Sequence, residues 1–306
     1  MDIIKRRYLY IAISLLIIVP GMIALALWGL PLAIDFTGGS LLEVQFETGK
    51  APQPAAVITL YDKLGIRDPQ VQSSQNDVLV IRSKEIDEAT KNKIVSEMTT
   101  QFGSKVTVNS FDTVGPEIGT ETTKNAGFAV AAASIGILLY IWYAFRNIPS
   151  AYRYGVAAII ATIHDILVVL GTYALLAHFL GWEVDALFLT ALLTVIAFSV
   201  HDDVVVFDRI RENANTYRRV KYDQVVNFSI VQTMDRSINT QFTVMLTLLS
   251  LALFGGITIR HFVITLLIGV FSGTYSSIFN AAPILVIWQN QEWKTWFRRS
   301  APKPAE

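Results

Sequence analysis

The chain has 306 residues, 52% of them hydrophobic and only 16% charged, with equal numbers of basic and acidic side chains. A soluble domain usually carries about 25% charge, so this composition excludes a single soluble domain and points to a polytopic membrane protein. Zero net charge implies no nucleic-acid partner, and the absence of cysteine excludes disulfides and thiolate-held metals.

Crossing a bilayer takes about 20 apolar residues. Segments of that length are Tyr8–Leu30, Ala126–Phe145, Tyr154–Ala177, Ala186–Phe207, Ser237–Phe254 and Phe262–Trp288. The first follows Lys5, Arg6 and Arg7 and is longer than a signal-peptide core, which has about 7–15 apolar residues. It reads as an uncleaved anchor with a bend at Pro20-Gly21. Basic residues orient the spans, because cytoplasmic loops are enriched in Lys and Arg. They crowd the amino-terminal tail, Arg146 and Arg153 between the second and third spans, Arg209–Lys221 between the fourth and fifth, and Lys294, Arg298, Arg299 and Lys303 in the tail. The opposite short loops hold none near Gly181 and only Arg260 near Gly256. Both termini are expected in the cytoplasm. The expected division is residues 1–30 as tail and first helix, 31–125 outside, 126–290 as helices two to six with a cytoplasmic loop over 208–236, and 291–306 as tail.

The long first loop is patterned as a globular domain. Leu41–Phe46 reads as a strand with Leu42, Val44 and Phe46 on one face, and Pro54–Leu64 as a helix. Val71–Ser73 and Val78–Ile81 read as strands around a polar turn at Ser74–Asp77. Ile86–Phe102 reads as a helix with Ile94, Val95 and Met98 inward, ended by Gly103, and Lys105–Asn109 as a last strand. The order β-α-β-β-α-β suggests a ferredoxin-like α+β sandwich. The loop is either a folded spacer or a surface that touches a partner. It carries no nucleotide loop, His/Cys cluster or nucleophile–base set, and no Walker-type loop occurs anywhere in the chain. The expected class is a non-enzyme with no cofactor and no metal.

Charge inside the spans is the informative departure from an apolar pattern. Asp165 interrupts the third span, and Asp202 and Asp203 follow His201 in the fourth. A charge at the bilayer centre costs about 2.5–3.5 kcal/mol on the insertion scale. By default such a carboxylate marks an ion or proton path. His164 and His201 each precede one of these carboxylates, and histidine titrates near neutral pH. Each position also has a plainer reading. Asp202 can be a helix-end residue in water, Arg236 a snorkelling interface residue, and His164 a polar residue packed between helices. Thr162, Ser199, Asn239, Thr240 and Thr243 can complete a polar core or act as ordinary helix–helix glue. Gly269, Gly273 and Ser277, at four-residue spacing, suggest a close helix contact. Asp208, Arg209, Arg211, Glu212 and Asn213 read as a short interfacial helix.

Five stretches together are more specific than composition. They are Ala33-Ile34-Asp35-Phe36-Thr37-Gly38-Gly39, Val114-Gly115-Pro116-Glu117-Ile118-Gly119, His164-Asp165, Val204-Val205-Val206-Phe207-Asp208-Arg209-Ile210-Arg211-Glu212-Asn213, and Gly273-Thr274-Tyr275-Ser276-Ser277-Ile278. In this order and spacing the chain resembles the SecF family, the smaller half of the bacterial SecD–SecF export complex within the resistance-nodulation-division superfamily. The resemblance covers Asp35 to Ala282. It implies a heterodimer with SecD, action beside the SecYEG channel and YajC, an unfolded secretory polypeptide as substrate, and protons as the driving ion. It implies a bacterial plasma membrane, with a thylakoid membrane as the alternative. It assigns the proton-carrying aspartate to Asp202 and its movable cation to Arg236. Their own place in the spans, rather than the resemblance, adds Asp165, His164, His201 and Asp203 to the candidate relay, and Asp35, Phe36, Thr37, Gly38, Gly39, Gly115 and Pro116 form a motif that turns the first span into the outer domain, with a hinge role as a further expectation. One departure stands out: the family usually shows Asn-Asp-Thr where this chain has His201-Asp202-Asp203. A neighbouring like charge disfavours ionising both carboxyls. Two rival readings are a proton-coupled drug or lipid exporter half and a scaffold of the translocon that transports nothing.

Overall fold

Alternation of apolar and polar residues from Gly39 to Phe46 makes β1 the centre of a small sheet in the computed structural model, which describes residues 2–47, 51–66, 69–73, 77–146 and 151–296. Two units are distinguished. The smaller comprises Leu32–Ala129 with Glu183–Ala186, the larger Met1–Pro31, Val130–Trp182 and Leu187–Glu306.

The smaller unit starts with a single helical turn, α2 (Ile34–Thr37), after the first long helix α1 (Arg7–Trp28). Then come β1 (Gly39–Phe46), α3 (Pro54–Lys63), β2 (Gln70–Ser73), β3 (Val78–Ser83), α4 (Glu88–Phe102) and β4 (Val106–Val114). The sheet order is β2-β3-β1-β4 and every neighbour pair is antiparallel. Leu42, Val44 and Phe46 point to one face and pack with Leu79, Ile81, Val57, Leu60, Tyr61, Ile94 and Met98. Each such buried aliphatic contributes about 1.5–3 kcal/mol. Asp87 caps α4 by accepting the Thr90 N–H at 2.9 Å, satisfying an amide that has no partner within the helix. Gly103 closes α4 at φ 61°, ψ 28°, the left-handed conformation glycine adopts without strain.

The last strand is longer than the expected Lys105–Asn109. It pairs with β1 as far as Gly39↔Val114, with a register shift between Glu43 and Val44. That irregularity breaks the period-two pattern and hides the continuation in the sequence. Of the expected turn at Ser74–Asp77, only Asp77 is among the described residues, with φ 57°.

The larger unit contains most of the long helices: α1, most of α5 (Pro116–Phe145), α6 (Ala151–Leu180), α7 (Ala186–Thr216), α8 (Tyr222–Phe254), and α9 (Ile257–Ser276) continued through a π-helical turn at Ser277–Ala281 into α10 (Ala282–Gln289). Among the described residues, six stretches are long and apolar enough to cross a membrane. The π turn precedes Pro283, which has no N–H to continue an α ladder. α1 runs unbroken through Pro20. Beside it, a Cβ on Gly21 would lie 2.7 Å from the Gly171 Cα. These glycines let the α1 and α6 backbones touch, as small residues do in membrane bundles.

The expected cytoplasmic loop over 208–236 is mostly helix. α7 continues to Thr216 and α8 starts at Tyr222. The polar continuation is held by one buried stripe of Val225, Val226, Ser229, Ile230 and Thr233, at the three- and four-residue spacing of a packed helix face. Asn213 clasps the two helices, donating to Ser229 Oγ at 2.9 Å and Gln232 Oε1 at 2.8 Å. The pairs Asp208–Arg211 and Arg209–Glu212, each at 2.6 Å, lie exposed on this extension. Arg298, Arg299 and Lys303 lie outside the described residues.

Candidate functional site

Asp165 occupies the middle of α6 and is fully buried. Its Oδ1 accepts from Ser272 Oγ at 2.6 Å and lies 3.0 Å from His164 Nδ1. Its Oδ2 accepts from Ser199 Oγ at 2.6 Å and Ser276 Oγ at 2.7 Å. Three helices therefore converge on one carboxyl group: α6 supplies it, α7 supplies Ser199, and α9 supplies Ser272 and Ser276. Hydroxyl donors around a buried carboxyl replace the water it would otherwise bind. They are also rotors that reverse direction, so the same cage accepts either the ionised or the protonated group.

Glycines let these helices approach. A Cβ on Gly269 would fall 2.0 Å from Val195 Cγ2, and one on Gly273 would sit 3.5 Å from the Ser199 Cα and 3.7 Å from Asp165 Oδ2. The Gly269/Gly273 stripe thus packs on α7 within this chain. Ser277, its third member, donates to the Thr274 carbonyl at 3.1 Å and is buried.

Asp202 is 2% exposed and lies at the middle of α7 rather than toward a helix end, because the helix continues to Thr216. Its Oδ2 accepts from Gln241 Nε2 of α8 at 2.6 Å. His201 Nδ1 lies 3.6 Å from its Oδ1, and the His201 side chain is 63% exposed. Asp203 is fully buried, and among the described residues neither of its oxygens has a hydrogen-bond partner. Successive helix residues point about 100° apart, so Asp202 turns to α8 while Asp203 turns inward.

The structure does not bring Arg236 to this group. Arg236 is exposed on α8, and no ion pair joins it to Asp165, Asp202 or Asp203 among the described residues. Gln241, five residues or about 7.5 Å further along the helix, holds Asp202 instead. Thr240 and Thr243 are exposed and donate to their own helix backbone, and Asn239 is exposed too. Thr162 likewise donates to the Ala158 carbonyl at 2.9 Å. None of these four joins the polar core. His164 is nearly buried, its Nε2 has no hydrogen-bond partner among the described residues, and its ring stacks near Tyr275. Sequence reasoning misses Ser272 and Gln241: a lone serine or glutamine in an apolar run signals nothing until the facing helix is known.

The glycine pair sits in the smaller unit. Gly38 has φ 71° and Gly39 φ 117°, conformations that side chains oppose. A Cβ on Gly38 would lie 2.9 Å from the Pro116 Cα, and one on Gly119 would lie 2.7 Å from the Gly38 nitrogen. Thr123 Oγ1 donates to the Phe36 carbonyl at 3.1 Å. The two motifs Asp35–Gly39 and Val114–Gly119 are therefore one packed knuckle. Thr37 donates back to the Ala33 carbonyl at 3.2 Å, and Gly115 joins β4 to Pro116. Asp35 Oδ2 accepts the Ala186 N–H at 2.9 Å, the first residue of α7.

Buried carboxyls in a bundle of membrane-length helices, joined to a small α+β unit, define a multi-pass membrane protein with a polar intramembrane centre. Residues 94–291 match the family model described as protein export membrane protein SecD/SecF, C-terminal, and residues 24–50 match the SecD/SecF GG motif. The chain is 55% identical to the protein translocase subunit SecF of Anaerolinea thermophila, covering 100% of this chain and 99% of that one. It is 47% identical to the SecF subunit of Thermobaculum terrenum, covering 99% of each. The crystal structure of SecDF from Thermus thermophilus, a translocon-associated membrane protein, superimposes with a TM-score of 0.81 at 30% identity, covering 95% of this chain and 39% of that one. The chain belongs to the SecD/SecF family of protein-export membrane proteins.

Proposed function

We propose that this chain is the SecF half of a bacterial export complex and couples proton movement through its intramembrane carboxyls to polypeptide release outside the membrane. The observation that carries the coupling is the burial of Asp165, Asp202 and Asp203 in a bundle whose outer surface is apolar. Asp165 sits in a reversible hydroxyl cage, and Asp203 has no hydrogen-bond partner among the described residues. A proton entering this set binds a carboxylate oxygen and leaves as the carboxyl ionises again. One charge crossing the membrane gains about 2.3 kcal/mol per 100 mV, similar to the cost of placing one charge at the bilayer centre on the insertion scale. That is enough to shift helices between two packings.

In this reading SecD supplies the other half, consistent with the 39% of the SecDF chain that this chain covers, and SecYEG and YajC are neighbours. Arg236 approaches Asp202 in another state of the cycle, displacing Gln241. The smaller unit is a ferredoxin-like sandwich facing the outside, because its strand order and pairing fit that fold and the basic residues cluster at the opposite helix ends. Both termini then lie in the cytoplasm, with the chain in the plasma membrane. Its role is transport rather than catalysis.

The test is export in cells depleted of their own SecF and supplied with this chain and its SecD. Wild type should restore release of secretory proteins, and Asp202→Asn should not, at equal membrane levels. Equal restoration by both would make the carboxyl structural and move the scaffold reading ahead.

A further inference from the structure

Within the larger unit a groove runs between α8 and the end of α9. It holds about 230 Å³ and is lined by Ile238 and Phe242 of α8, Phe271 of α9, and Ile278 and Phe279 of the π turn, with Gln241 among them. Turns of this kind recur at functional sites. The volume is below the about 300–1,000 Å³ of drug-sized pockets, so it suits a short chain or a single ring. Ile238, Phe242 and Phe271 are exposed, so the groove opens sideways through an apolar rim.

One polar atom in this groove is left over. Gln241 is 3% exposed and donates from Nε2 to Asp202 Oδ2 at 2.6 Å, while its Oε1 has no hydrogen-bond partner among the described residues. The two ends of an amide point apart, so with Nε2 turned to α7 the oxygen is turned from Asp202. Two hydroxyls also line the groove, and their hydrogens are committed. Thr274 Oγ1 donates to the Val270 carbonyl and Tyr275 Oη to the Tyr10 carbonyl, each at 2.8 Å. A buried acceptor without a donor is costly, and hydrocarbon supplies no water to make good the loss. The exposed polar stripe of α8, formed by Asn239, Thr243 and Thr247, lies about 100° round the helix from Ile238 and Phe242. A polar partner helix is served by that stripe, and the groove is left facing lipid.

We propose that the groove binds a lipid-borne alcohol: an apolar chain or ring with one hydroxyl, which donates to Gln241 Oε1 while the rest lies against Phe242 and Phe271. The hydroxyl supplies the one missing donor, and the apolar remainder fits walls that offer nothing else to bond. An ether or alkane of the same shape fills the space but leaves Oε1 bare. A phosphate or carboxylate brings acceptors to an acceptor. The bound molecule sits one amide away from the Asp202 carboxyl, and it gives that amide a second bond that holds it in place. Binding at this site does not depend on Asp202 carrying protons, so it stands or falls apart from the coupling reading.

The probe is octanol bearing a photoreactive diazirine, applied to the complex of this chain with its SecD in lipid nanodiscs. Label should fall on residues 234–245 or 271–279 and should saturate. Unmodified octanol should compete at least about tenfold better than its methyl ether, the worth of one hydrogen bond. Gln241→Leu keeps the apolar wall and removes the acceptor, so the preference for octanol over the ether should vanish. Equal competition by the ether in the wild type would overturn the proposal, and so would a preference that survives Gln241→Leu. Absence of saturable label from these segments would give the groove to SecD or to no ligand, and overturns it as well. If Gln241→Leu fails to accumulate, Thr274→Phe is read in its place. It fills the groove from α9 and should abolish the label; undiminished label in Thr274→Phe overturns the site.

Discussion

In the smaller unit the most deeply buried side chains are Val44, Val57, Leu79, Ile81, Ile94, Met98 and Tyr61, apolar but for the one tyrosine hydroxyl. In the larger unit Asp165, Asp203, Ser276 and Ser277 are buried just as completely, while Phe254 is 88% exposed and Leu16 74%. One unit hides oil from water, and the other hides polarity from lipid. Burial thus carries a different message in each. In the sheet it reports what holds the fold. In the bundle, apolar packing gains little over contact with lipid, so the buried polar groups report what the helices are arranged around.

The comparison is broken most severely by removing a core aliphatic from the sheet. Ile81→Ala should destabilise the smaller unit by about 2–5 kcal/mol, because burial and a cavity are lost together. Hydrogen exchange of β1 amides in the full chain should accelerate accordingly, with the bundle helices unchanged. Next comes Gly269→Ala, which drives a methyl into Val195. Overpacking of this kind costs about 1–3 kcal/mol, and Val195→Ala in the same chain should restore the lost Tm.

Asp203→Val sharpens the contrast. Removing a buried polar group that has no hydrogen-bond partner among the described residues should leave Tm unchanged or raise it, although export falls if the relay needs this carboxyl. A drop in Tm would show that Asp203 has a stabilising partner. The smallest effect belongs to Glu292. Burial opposes its ionised form, but bonds from Tyr8, Arg7 and Asn290 and the Arg7 charge outweigh that and hold its pKa below the usual value. The depressed value stabilises the fold above the ordinary glutamate range, about 4.3. That contribution is lost as pH falls through the lower folded value. Glu292 is partly solvated, so the acid limb of a stability profile should change by less than about 1 kcal/mol in Glu292→Gln.

The spans were legible because a run of about 20 apolar residues matches the thickness of a bilayer and little else. The sheet was legible wherever period two persisted, as at Leu42, Val44 and Phe46. Legibility failed where a pattern was diluted. The first turns of α8 are polar on most faces, so Tyr222–Arg236 reads as loop until its Val225–Thr233 stripe is seen packed. At the candidate site the carboxyls announced themselves, since charge in an apolar run is costly. Their partners did not. Ser272 contacts Asp165 across 107 residues of sequence and Gln241 contacts Asp202 across 39. The Asp35 cap on α7 spans 151 residues. A position's neighbours at such separations are fixed by how helices cross, not by any local signal.

The π turn at Ser277–Ala281 has a consequence for the sixth span as a whole. A wide turn holds one residue more than an α turn, so it acts as a phase slip. The face on which Ser272 and Ser276 meet Asp165 is out of step with the face that follows, where Asn280 donates to Ser14 of α1 at 2.8 Å. A single helix thereby serves two neighbours that a uniform rod would meet at the wrong angle. Forcing that turn into α geometry with all its residues kept would rotate everything from Ala282 to Gln289 by about 100°. The span would keep its length and its hydrophobicity, and would lose its aim.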